Sequence, residues 1–167
     1  MRCSSSPPFS WLVAAVLLAA PAVAEDQAKG TLVVGDESIA ITHVYAHAEK
    51  GFFDPKTLDV VVLLCDAAVP AAGVRDDFAR RELVKAGKLH CVQQTIDAGG
   101  QVISYRVEHR RFGMTPSGGS SYQVFEAQSR DARTIAGRAR TTATQKSFDD
   151  VPYSYDITFS AAIEPPK

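Results

Sequence analysis

The most constraining feature is a strict two-residue alternation near the C-terminus. Tyr153, Tyr155, Ile157, Phe159, Ala161 and Ile163 alternate with Ser154, Asp156, Thr158, Ser160 and Ala162. Successive side chains of an extended strand point to opposite faces, so one face of this segment is apolar and the other largely polar. A helix cannot produce that separation at a period of two. The segment therefore demands a sheet with a core on one side and solvent on the other.

The same period recurs upstream, punctuated by turn residues at short intervals. Strands are expected over Thr31–Val34, Ile39–Ala48, Leu58–Asp66, Leu89–Asp97, Val102–His109, Tyr122–Ala127 and Thr134–Thr144, besides the terminal one. Val60 to Cys65 is an unbroken apolar run, which marks a strand buried on both faces. Ala98-Gly99-Gly100 reads as a hairpin turn. Short turns impose mostly antiparallel pairing, because parallel strands need long crossovers. The expected fold is mainly β: about eight mostly antiparallel strands in a barrel or two-sheet sandwich, with one helix over about 74–86. Acidic Asp76 and Asp77 at the helix start and Lys85 near its end suit the helix dipole. Asp76–Arg80 and Asp77–Arg81 are expected as i,i+4 pairs. Val74, Phe78, Ala79, Leu83 and Ala86 form the stripe expected to face the sheet.

The first 24 residues have a different character. Arg2 is the only charge before Glu25, Trp11 to Ala20 is apolar, and Ala22-Val23-Ala24 is a small-residue cleavage site. This order is that of a secretory signal peptide. The apolar stretch is shorter than the ~20 residues that span a bilayer, and Pro21 breaks its end. The expected organisation is a signal peptide over 1–24 and a single mostly-β domain over 25–167, periplasmic or secreted, with no membrane span after cleavage. In an oxidising compartment Cys65 and Cys91 are expected to form a disulfide enclosing the helical excursion. With 18 basic against 19 acidic residues, the chain lacks the charge footprint of a nucleic-acid binder.

No nucleophile elbow, phosphate loop or dinucleotide fingerprint is present, and no cofactor is implied. His43 and His47 stand four apart in a strand, roughly 13 Å at ~3.3 Å per residue, too far to share one metal. His90 and His109 flank another hairpin and are the other candidate metal ligands. Arg106, Arg110 and Arg111, with His109, make the densest basic cluster and suit an anionic ligand. Phe52-Phe53 in the loop Gly51–Pro55 reads as an interface or as a plug folded into the core, and the plug is the expectation. The expected function is an exported binding or interaction module for an unknown small ligand or envelope protein. The alternative is a metal-dependent or acid/base hydrolase using the strand histidines.

Two stretches carry a resemblance. Gly51-Phe52-Phe53-Asp54 with Leu58 to Pro70, and Thr134 to Ile163 with its Ile135-Ala136-Gly137 and Ser147-to-Phe159 patterns, resemble segments of small exported bacterial proteins without an assigned function. The resemblance implies an exported bacterial β-domain and transfers no catalytic residue.

Overall fold

The computed structural model describes residues 26–119 and 121–166, so the expected signal peptide over 1–24 lies outside the described residues. The strands in chain order are β1 (Gln27–Val34), β2 (Glu37–Ile41), β3 (His43–Lys50), β4 (Leu58–Cys65), β5 (Cys91–Ile96), β6 (Val102–Glu108), β7 (Ser117–Gly118), β8 (Gln123–Arg130), β9 (Thr134–Thr141), β10 (Gln145–Lys146) and β11 (Pro152–Glu164). Two short helices, α1 (Ala71–Arg75) and α2 (Asp77–Lys85), sit between β4 and β5. The fold is mainly β, as the alternation requires, and takes the form of a curled half-barrel rather than a closed barrel or two separate sheets.

The terminal strand is the seam of that curl. β11 runs antiparallel to β1 and to β9, and its last residues, Ile163 and Glu164, run parallel to Ala46 and His47 of β3. From there β3, β4, β5, β6 and β7 continue as an antiparallel ribbon. The concave side holds the main core. Leu32, Val44, Val62, Leu64, Val92, Val107 and Ile135 meet Tyr153, Tyr155, Ile157, Phe159 and Ala161 there. Each such side chain contributes roughly 1.5–3 kcal/mol by leaving water.

On the convex side Leu63, Cys65 and Cys91 pack under the helical excursion with Val69, Leu89, Val74, Leu83 and Val84. β4 is thus buried on both faces from Asp59 to Cys65, which explains its unbroken apolar run. Cys65 and Cys91 are opposite partners on β4 and β5 and form the expected disulfide.

The remaining differences have local causes. The segment Ile39–Ala48 divides into β2 and β3 at Thr42, whose backbone N–H goes to Cys65 O and whose hydroxyl goes to Asp66 O. Short strands β7 and β10 raise the number to eleven among the described residues. The single expected helix is two helices because Asp76 is extended and caps α2, its carboxylate accepting from Phe78 N–H at 2.9 Å. With Asp76 committed to the cap, the expected i,i+4 pairs do not form. Arg80 turns inward to Glu108 and Asp77 pairs with Arg106. The buried residue of α2 is consequently Arg80, while Phe78 and Ala79 face solvent.

Candidate functional site

One end of the β3–β6 ribbon gathers most of the chemistry. Register sets His43, Cys65, Cys91 and Glu108 side by side on its convex face. The residues one step beyond them, Thr42, Asp66, His90 and His109, form a row on the concave face. Asp66 holds His90 twice, its Oδ1 accepting the backbone N–H at 2.8 Å and its Oδ2 the Nδ1–H at 2.7 Å. Nε2 of His90 is buried and unpartnered.

The His90 and His109 rings stack at 4.6 Å, and His109 continues edge-on to Phe112, then Tyr153. Nδ1 of His109 accepts the Arg111 N–H, so the ring proton of the neutral form belongs on Nε2, 3.2 Å from Glu37 Oε2 but off the hydrogen-bond axis. Burial, and then the neighbouring His90, hold the His109 pKa below the usual histidine range despite Glu37.

Glu37, on the β1–β2 hairpin, also accepts from Arg110 at 3.3 Å and Arg111 at 2.8 Å. Burial alone would raise its pKa, but Arg110, Arg111 and His109 outweigh that and lower it. Arg111 additionally reaches Asp36. A chain of charge therefore runs from β4 and β5 across to the opposite lip of the half-barrel.

Beside this row lies a cleft of about 360 Å³ between α2, the end of β6 and the loop Phe112–Thr115. Arg81, Lys85, Arg106 and Arg110 line it, against the carboxylates of Asp77 and Glu108. Glu108 is already neutralised: Arg80 donates Nε–H to it at 2.6 Å, and its other nitrogens reach Gly73 O at 2.7 Å and Gln93 Oε1 at 2.8 Å. Arg106 is paired with Asp77, Arg110 with Glu37 and Lys85 with Glu82, so among the described residues Arg81, over the Phe78 ring, is the lining cation without an acidic partner; Val84, Phe112 and Met114 supply the apolar lining. Gly87, at φ 66°, lets the Arg110 stem cross it, since a Cβ there would lie 2.8 Å from Arg110 Cδ.

The expected site residues therefore separate. Arg106, Arg110 and His109 converge on the cleft, whereas Arg111 is directed to Asp36 and Glu37. His90 and His109 meet. His43 bonds to Thr42 Oγ1 at 2.9 Å, and His47, deeper along β3, to Glu49 at 3.0 Å. Burial lowers the His47 pKa against the pull of Glu49. Among the described residues no three His, Cys, Asp or Glu side chains converge as a metal site. Phe52 and Phe53 are 79% and 75% exposed, so they do not plug the core. Asp66 and Glu37 were not among the expected site residues, and Arg80, Arg81 and Lys85 were read only as charges of the helix. Of these, Asp66 was accessible, because pairing Cys65 with Cys91 brings their neighbours Asp66 and His90 together.

No protein-family model, curated protein or solved structure matches this chain.

Proposed function

We propose that this chain is an exported bacterial binding module whose cleft between α2 and the end of β6 takes a small anionic ligand. The observation that carries this is the convergence of Arg81, Lys85, Arg106 and Arg110 on one cleft with an apolar lining, where Arg81 has no acidic partner among the described residues and a bound anion would exchange with the part-exposed pairs of the other three. Its volume lies in the range of small-molecule pockets, ~300–1,000 Å³. Guanidinium groups match carboxylate or phosphate oxygens in a two-point geometry. The Cys65–Cys91 disulfide supports a periplasmic or secreted location, since such bridges persist in oxidising compartments.

Titration calorimetry with inorganic phosphate and with succinate tests the reading. Binding is expected to weaken as salt rises and to fall about tenfold in Arg110→Ala. Arg138→Ala, which loses an ion pair with Asp156 away from the cleft, should bind as the parent does. Equal affinity in the Arg110 and Arg138 variants, or no uptake of either anion, would sink it.

A second reading, acid/base hydrolysis, draws on the Asp66–His90 pair, because a carboxylate on Nδ1 leaves Nε2 as the proton acceptor. Esterase assays on the parent and on His90→Gln decide it: activity that survives the substitution removes His90 from the chemistry.

A further inference from the structure

Where the cleft meets the β1–β2 hairpin, Arg110 already holds an anion, the Glu37 carboxylate at 3.3 Å. Glu37 is shared. Its Oε1 also accepts from Arg111 Nε at 2.8 Å, and its Oε2 faces Nε2 of His109 at 3.2 Å. These partners differ in how easily they let go. Arg110 is 55% exposed and makes the longest contact, Arg111 has a second carboxylate in Asp36, and the His109 side chain is fully buried. An anion entering the cleft therefore competes with Glu37 for Arg110 before it competes for the others.

His109 is placed to settle that competition. Its Nδ1 accepts the Arg111 N–H at 3.1 Å and its carbonyl accepts the Phe112 N–H at 3.1 Å, so ring and backbone together hold the turn that carries Arg110. A second ring proton has only Nδ1 to occupy, where it meets the Arg111 N–H donor to donor. The turn is then released from the ring. At the same time the imidazolium gives Glu37 a buried counter-charge and weakens its hold on Arg110. Both effects free Arg110 for the cleft. The other charged groups around the ring do not replace this one. Asp36 is taken by Arg111, Glu108 by Arg80, and Phe112 stands between His109 and Tyr153. His90, stacked at 4.6 Å, is close enough that the two rings admit one added proton at a time. On His90 that proton is answered by Asp66. On His109 it lies beside Glu37 and beside the cleft, which His109 lines and His90 does not. A bound anion thus draws the proton to His109. Resting on the anion-binding reading of the cleft, we propose that Glu37 is its resident competitor and that anion uptake there is coupled to proton uptake on His109, so that affinity rises as pH falls.

The test is calorimetry on the full chain with sulfate, whose charge is constant over the range, at pH ~7.5 and ~5.5 and one ionic strength. Buffers of different ionisation heat count the protons taken up. Affinity is expected to rise about tenfold at the lower pH, with up to about one proton bound per sulfate. Glu37→Gln should bind at pH ~7.5 as the parent does at pH ~5.5. His109→Gln, whose amide keeps an acceptor and a donor without titrating, should bind weakly at both. A cooperative thermal melt at each pH checks that every variant is folded, and the proton count on the parent decides the matter even where one is not. Sulfate binding at neither pH removes the cleft reading and this proposal with it. Binding that is unchanged by pH and takes up no proton overturns this proposal and leaves the cleft reading standing. A full pH response in His109→Gln overturns it too, as does a response that only His90→Gln abolishes.

Discussion

Single residues decide how this fold responds to acid and to charge removal. His47 and His109 both have pKa values below the free histidine value of about 6.5. The folded chain then binds fewer protons than the unfolded one as pH falls through that value, so stability is full above it and declines on acidification. Asp131, held low by the backbone N–H groups of Arg133 and Thr134, and Asp156, held low by Arg138, add a further loss once pH falls below the carboxylate range. Thermal melts should therefore show a steady fall in Tm from neutral pH toward pH ~5, and His47→Gln should flatten part of it. A flat profile in the parent would contradict this. Arg80 poses the opposite case, a buried cation whose removal strands Glu108. Arg80→Met is expected to cost about 3–5 kcal/mol in urea unfolding, and adding Glu108→Gln should recover much of that.

At the scale of elements, the excursion between β4 and β5 depends on its two ends being tied. The Cys65–Cys91 bridge closes that loop, and the chain-entropy relation assigns it roughly 3–4 kcal/mol. Reduction should lower the unfolding free energy by that amount, measurable as a shifted urea midpoint between reduced and oxidised samples. Asp76→Ala should cost about 1 kcal/mol through the lost cap of α2. What could be read beforehand follows a physical line. β4 and β11 were readable because burial on two faces or one writes itself into local order of apolar residues. The break at Asp76 rests on a local cap onto Phe78 N–H, which an acidic residue at a helix start signals and which the continuous reading over 74–86 passed over. The split at Thr42 was not readable, because it depends on Cys65 O and Asp66 O, which only the assembled sheet supplies. The cleft was half readable for the same reason. Arg106 and Arg110 cluster in sequence, whereas Arg81 and Lys85 arrive from a helix whose facing turned on Arg80 choosing Glu108.

For the whole molecule, the concave core is one cooperative unit spanning both halves of the curl. Leu64, fully buried against it, should cost about 2–5 kcal/mol when cut to Ala, with a single unfolding transition retained. Two separate transitions would mean that the halves are independent. β11 bears on when that unit can exist at all. It borders β1, β3, β9 and β10, so elements made early remain unpaired along an edge until Tyr153 to Ile163 has been synthesised. A pairing between β1 and β11 joins positions more than a hundred residues apart, and such distant closure makes folding slow, in the millisecond-to-second range. Under the proposed export, that delay would matter: a polypeptide whose keystone strand is made late stays threadable while it crosses a translocation pore, and locks only on the far side.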